Sequence, residues 1–288
     1  MITPTRSETA LRPLASPQVG LRRTWMAFKQ LVKLPFYAVY RRRLEAKVST
    51  WRLPRHIGVI MDGNRRFARR AGFVNPSYGH ARGAEKLKDV LSWCYDAGIS
   101  VVTVWSFSLD NFQRDTSEVT ALLDLFEDKA RQLAQDSEVH RNQVRVRFIG
   151  KLELLPESLQ REIREVEKAT ESYSRFQLNI AMAYGGREEI SDAMQRFLAD
   201  QVGEGKSLEE VAQGFEGSAL EPYLYTYGQP EPDLILRTSG EVRLSGFLLW
   251  QSAYSEYYFC DANWPAIRKI DFLRALRTYD QRQRRFGR

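Results

Sequence analysis

Ile57-Gly58-Val59-Ile60-Met61 is a short run without polar residues, and it stops abruptly on Asp62-Gly63-Asn64-Arg65-Arg66. A run of that length bounded by turn chemistry predicts a strand buried on both faces. Downstream, Gly83–Ala97 places Leu87, Val90, Leu91 and Cys94 on one helical face, and Ile99–Ser108 predicts a second strand. A helix follows over Ser117–Leu133. Val144–Ile149 alternates apolar residues with arginine, as a strand with one wet face or a sheet edge does. The pattern continues with a helix at Glu157–Thr170, a strand at Leu178–Tyr184 and a helix at Arg187–Leu198. Asp233–Arg237 reads as a strand, Phe247–Trp250 as a further apolar run and Asp271–Arg285 as a basic terminal helix. This alternation predicts an α/β fold, with a mainly parallel central sheet and helices on both faces.

The composition narrows the class. The chain has 288 residues with 43% hydrophobic content, enough for one substantial core. Its net charge of +7 is concentrated at one end. Residues 1–50 carry ten Lys/Arg against Glu8 and Glu45, leaving 33 basic and 34 acidic residues for 51–288. A body without a basic stripe argues against a nucleic-acid partner. Cys94 and Cys260 stand far apart with no metal-ligand spacing, which argues against a disulfide scaffold or structural zinc and for a reducing, cytoplasmic setting. No apolar run is long enough to span a membrane.

Residues 1–20, with three prolines, read as a mobile tail, and 21–50 as a basic amphipathic arm ahead of a domain over 51–288. In the arm Trp25, Phe28, Leu31 and Val32 keep roughly helical spacing with bases between them, and Pro35 interrupts the pattern. Such a segment either packs on the body or a partner subunit, or lies on an anionic membrane surface through residues 21–48. Lys33 and Pro35 break it as a secretory signal.

Ligands of parallel sheets bind beyond the carboxyl ends of the strands, and three segments there have unusual chemistry. Asp62-Gly63-Asn64-Arg65-Arg66 offers a carboxylate for a hard cation, a tight turn with exposed N–H groups and two guanidinium forks for phosphate; the same residues also make an ordinary surface turn. Ser106–Arg114 interleaves hydroxyls, an amide and an arginine with Phe107 and Phe112, suiting a site that grips an anion and an apolar group together, or a helix N-cap region. Leu236–Ser245 sets Arg237 and Arg243 around small hydroxyl residues and a glycine. Two arginines so placed can wrap a diphosphate, or pair on the surface with Glu241. Glu256 lies beyond an aromatic stretch as a candidate second carboxylate. Gly205-Lys206-Ser207 resembles the end of a phosphate loop, but Asp200 occupies the required earlier glycine. GxGxxG, HExxH and GxSxG are all missing from the sequence.

Taken together, HIGVIMDGNRRFARRAG, SFSLDNFQRDTSEV, AYGGREEI, PDLILRTSGEVRLSGFLLWQSAYSEYYF and the closing RRFG resemble the cis-prenyltransferase (undecaprenyl diphosphate synthase) family over about Arg55–Arg288. Within it the chain is similar to the actinobacterial short-chain branch of (2Z,6E)-farnesyl diphosphate synthases. The resemblance implies a homodimer using Mg²⁺ to condense isopentenyl diphosphate with an allylic diphosphate, geranyl or farnesyl, into a Z-configured product. The alternative is a catalytically silent partner subunit. By the resemblance Asp62 is catalytic and holds metal, with Glu256 as a second metal position, and Asn111 assists proton removal. Gly63, Asn64, Arg65, Arg66 and His80 would bind the allylic substrate, and Phe67 would be a further substrate contact. Ser108, Leu109, Asp110, Phe112, Arg114 and Leu244 are further substrate contacts, and Arg237, Arg243 and Ser245 the isopentenyl diphosphate site. Phe67 and Phe112 stand where the family commonly has tryptophan, and Val242 replaces a histidine found in some members. An apolar tunnel must take the lengthening hydrocarbon, since each buried CH₂ contributes roughly 0.8 kcal/mol. Trp105, Ser106, Leu122, Leu123 and Phe126 are the candidates for its wall.

Overall fold

The structure, a computed structural model, describes residues 36–282. The tail, most of the arm pattern and the closing RRFG lie outside the described residues. Contacts divide the chain between Ala46 and Lys47. The first unit is helical over 36–45, with Arg41 and Glu45 one turn apart at 3.7 Å.

In the second unit six strands form one sheet: β1 (His56–Ile60), β2 (Val101–Trp105), β3 (Val144–Ile149), β4 (Phe176–Ala181), β5 (Leu234–Arg237) and β6 (Glu256–Phe259). Their spatial order is β3-β4-β2-β1-β5-β6, and every pairing is parallel. β1 is buried along its whole length, as its unalternating sequence requires. β3 is an edge strand: Val146 and Phe148 are buried while Arg145 and Arg147 are not. The helices are α1 (Asn64–Arg70), α2 (Ser77–Asp96), α3 (Thr116–Ala134), α4 (Ser137–Arg141), α5 (Glu157–Thr170), α6 (Gly186–Gly203), α7 (Leu208–Gly214) and α8 (Lys269–Gln281).

The strand expected at Leu178–Tyr184 begins two residues earlier, at Phe176, and ends three earlier. Its ladder ends at Ala181 because Ala183 turns into the left-handed region at φ 46°. Phe247–Trp250 is not a strand. Ser245 and Leu248 have φ of 54° and 45°, and this turn drives Phe247 and Leu248 into full burial against Gly58. A Cβ on Gly58 would sit 2.6 Å from Ile235 Cδ1, so the β1 glycine is required by packing rather than by a turn. β6 has no counterpart among the expected strands: four half-buried residues at a sheet edge carry neither a buried run nor alternation. Cys94 and Cys260 are both buried free thiols. Among the described residues no helix is long and apolar enough to cross a membrane.

From β1 the chain steps to β2 on one side, and β5 later packs on the other side. The carboxyl ends of β1 and β5 therefore flank a crevice where connections diverge, the usual place for a ligand in such sheets.

Candidate active site

Asp62 lies two residues past the end of β1. Its carbonyl accepts from Thr238 Oγ1 at 2.7 Å and from the Trp264 N–H at 2.9 Å, which fixes the backbone under the carboxylate. Gly63 follows at φ 105°, where a Cβ would lie 2.7 Å from Asn263 Oδ1. Only glycine fits that turn into α1. α1 then raises Arg65 and Arg66 on its first turn and Arg69 on its second.

Arg237, the last residue of β5, is buried and donates from Nη2 to Asp62 Oδ2 at 2.9 Å and from Nη1 to Ser245 Oγ at 3.0 Å. Arg66 stands 3.6 Å from Asp62 Oδ1 and 3.1 Å from Glu241 Oε1, and donates to the Ser239 carbonyl at 3.2 Å. Arg243 pairs with the other oxygen of Glu241. Burial alone would raise the Asp62 carboxyl, but the hydrogen bond from Arg237 and the charges of Arg237 and Arg66 outweigh it and hold it below the ordinary carboxylate range. Asp62 is therefore ionised at neutral pH.

Across the crevice Glu118, from the first turn of α3, gathers three bases. It accepts from Arg114 at 3.0 Å, meets His80 Nε2 at 3.2 Å and lies 3.9 Å from Arg65. Burial lowers the His80 pKa; Glu118 opposes this, and Arg114 and Arg65 reinforce it. A carboxylate only accepts, so His80 Nε2 carries the proton toward it. Asn111 Oδ1 accepts the Ser108 N–H at 3.1 Å and holds the loop after β2 in a 3-10 turn over Leu109–Gln113.

These side chains line two joined cavities. The first, about 380 Å³, is bounded by Asp62, Gly63, Asn64, Arg65, Arg66, Arg69, His80, Arg114, Glu241 and Arg243. Five guanidinium groups against two carboxylates suit a ligand carrying several negative charges. The second, about 200 Å³, is bounded by Asp62, Ser106, Ser108, Asn111, Arg114, Arg237 and Ser245. Asn64 Oδ1, on the wall of both, is buried without a hydrogen-bond partner, as is Arg237 Nε. Such orphans are unusual in a finished interior.

A third cavity of about 120 Å³ opens from the same wall, sharing Met61, Asn64 and His80, and runs between α2, α3 and the sheet. Leu87, Leu91, Leu122, Phe126, Leu178, Ile180 and Met182 line it, so it is an apolar tunnel behind a cationic mouth. Ser106, Leu122 and Phe126 form its wall as expected, whereas Trp105 and Leu123 do not. Trp105 stacks on Phe247 at 5.4 Å and Leu123 packs into the core.

Several expected contacts stand apart. Phe67 stacks toward Tyr78 at 6.2 Å, Phe112 packs edge-on against Phe107 at 4.9 Å, and Leu109 and Leu244 fill the hydrophobic interior. Asp110 is exposed. None of these five bounds the cavities described. Glu256 stands farther off, on the other rim of the sheet. It opens β6 opposite Leu234, three register positions or about 10 Å before the Arg237 end, and pairs with Arg282 at 2.9 Å. Within the chain it shares no site with Asp62, because the parallel register puts strand starts and strand ends on opposite rims of the sheet. Conversely, Glu118 and Arg69 belong to the site and were not among the expected residues, and Glu241, expected only as an ion-pair partner, holds Arg66 and Arg243 there. Helical spacing could have found Arg69, three residues after Arg66 in the same helix, whereas Arg114 lies before the start of α3 and its meeting with Glu118 depends on the turn.

Comparison with known proteins bears on this geometry. Residues 60–287 match the family model described as "Putative undecaprenyl diphosphate synthase". An isoprenyl transferase of Thermus thermophilus is 52% identical over 254 residues, covering 88% of this chain and 96% of that one. A (2Z,6E)-farnesyl diphosphate synthase of Thermobifida fusca is 48% identical, covering 89% and 99%. Among solved structures, lavandulyl diphosphate synthase from Lavandula x intermedia, crystallised with dimethylallyl diphosphate, superposes with a TM-score of 0.74 at 32% identity, over 82% of this chain and 99% of that one.

Proposed function

Since the chain belongs to the undecaprenyl diphosphate synthase family and is a prenyltransferase, we propose that it condenses isopentenyl diphosphate with an allylic diphosphate, geranyl or farnesyl, to give a Z-configured product. The observation that carries this reading is the continuity of a cavity rich in arginine with an apolar tunnel through Met61, Asn64 and His80. A diphosphate head and a hydrocarbon tail need those two environments side by side.

In this reading Arg65, Arg66 and Arg69 grip the allylic diphosphate beside the start of α1. Arg243 and Ser245, with Arg237 beneath them, hold isopentenyl diphosphate so that its double bond faces the allylic carbon, a proximity effect. Glu241 and Glu118 occupy the arginines until substrate arrives; a diphosphate with more charge and more acceptor oxygens displaces them. Fixed guanidinium groups then stabilise negative charge as it grows on the departing diphosphate. Asn111 spends its Oδ1 on the Ser108 N–H, which leaves its amide hydrogens as its available donors. It therefore orients a diphosphate oxygen or water that takes the proton, rather than taking it.

Mg²⁺ fits this donor set. Among the described residues no cluster of three metal-ligating side chains exists, but Mg²⁺ with a diphosphate needs only one or two carboxylates and completes its shell with water and phosphate oxygens. The ionised Asp62 would hold it. When bound, the ion would neutralise charge on the diphosphate it touches.

The homodimer follows the family resemblance, a cytoplasmic setting the two free cysteines, and membrane contact through residues 21–48 the basic arm. No observation favours a silent subunit: Asp62, Arg66, Arg237 and Arg243 are all in place. The test is incubation with radiolabelled isopentenyl diphosphate, Mg²⁺ and each of the C5, C10 and C15 allylic primers, followed by product sizing. Primer-dependent incorporation is expected with at least one primer; no incorporation with any of them would refute the reading.

A further inference from the structure

Helices α2 and α3 leave a seam over the tunnel, and polar clasps close it at two points. At the mouth His80 of α2 meets Glu118 of α3 at 3.2 Å. Eight residues along α2, about 12 Å deeper, Lys88 Nζ meets Asp136 Oδ2 at 2.8 Å, just beyond the end of α3. Lys88 and Asp136 both line the tunnel, whose wall between the clasps is otherwise dominated by Leu87, Leu122 and Phe126.

The two partners of the inner clasp differ in freedom. Asp136 is fixed: its side-chain exposure is 16%, and its carboxylate also caps α4 by accepting the Glu138 N–H at 2.9 Å. Lys88, at 61%, is the movable arm, with its methylene stem along the tunnel and its ammonium at the surface. A hydrocarbon tail that reaches this depth meets the stem, and displacing it separates the ammonium from a partly exposed carboxylate and sets that carboxylate against hydrocarbon. The penalty begins at one depth and does not rise smoothly with bulk.

We propose that the Lys88–Asp136 ion pair is the depth stop of the tunnel and determines product length, a role that rests on the prenyl-transfer reading above. Neither residue touches the cationic mouth, so changing them leaves substrate binding and the first condensation in place.

The test sizes the products formed from radiolabelled isopentenyl diphosphate and the best allylic primer by wild type, Lys88→Met, Lys88→Arg and Asp136→Asn. Lys88→Met keeps the apolar stem without the charge, and Asp136→Asn keeps a capping oxygen for α4, so the two open the clasp from opposite sides without a shared folding risk. Both are expected to shift the main product upward by at least one C5 unit at a near-wild-type rate of first condensation, while Lys88→Arg keeps the wild-type length. An unchanged product distribution in Lys88→Met and Asp136→Asn, beside an active wild type, would overturn the depth stop alone. No product from wild type with any primer would overturn the prenyl-transfer reading and the depth stop with it.

Discussion

Arg237 Nη2 donates to Asp62 Oδ2 at 2.9 Å, tying the carboxyl ends of β5 and β1 together on the wall of the second cavity. The arginine is almost fully buried and the carboxylate is not. The bond thus anchors a group that must face ligand to one that cannot leave the interior. It also keeps Asp62 ionised.

Asp62→Asn keeps an acceptor for Arg237 and removes the negative charge. Turnover is expected to fall by on the order of 10²–10³, with stability changed by no more than about 1–2 kcal/mol. Steady-state kinetics with isopentenyl diphosphate and urea unfolding check the two halves. A variant as active as wild type would remove Asp62 from the chemistry.

Gly63→Ala tests the turn that aims Asp62. The new methyl would meet Asn263 at φ 105°, a strained conformation costing about 1–3 kcal/mol. Both the unfolding midpoint and kcat should drop; an unaltered midpoint would show that the turn relaxes without cost.

Stability should also depend on pH through His56. Burial lowers its pKa to about 4, against the partial opposition of the Pro230 carbonyl and Asp233. Between pH 6.5 and 4 the unfolded chain binds a proton there that the folded one does not. The contribution of the neutral ring is therefore complete above pH 6.5 and is lost as pH falls toward 4, by roughly 3 kcal/mol. Urea midpoints across that range should decline, and His56→Gln should flatten the decline. A wild-type profile level from pH 7 to 4.5 would contradict the assignment.

Ser106 lines both the tunnel and the cavity beside Arg237. Filling that position with Ser106→Phe is expected to shorten the main product by one or more C5 units while primer binding persists. Products of unaltered length would place the hydrocarbon elsewhere.

Much of the architecture is readable locally. A strand buried on both faces must be apolar throughout, as β1 is, and a strand with one buried face alternates, as β3 does. The helices α3 and α5 carry their apolar residues at helical spacing, so their expected limits fall within a residue of the observed ones. β6 escapes such reading because a half-buried edge of four residues has no pattern of its own.

The candidate site divides along the same line. Asp62, Gly63, Arg66, Arg237 and Arg243 announce themselves by chemistry, since a carboxylate, a turn glycine and arginines at strand ends have few purely structural reasons to cluster. Glu256 carries equally suitable chemistry, yet the register of β5 with β6 places it at the opposite rim. Glu118 and the Lys88–Asp136 clasp depend on how α2 and α3 lie over the sheet. Residue type and short-range spacing are properties of the chain alone, and they determined the strands, the turn and the cations. Which of those groups meet depends on contacts between residues distant in sequence, and only packing of the folded chain decides that.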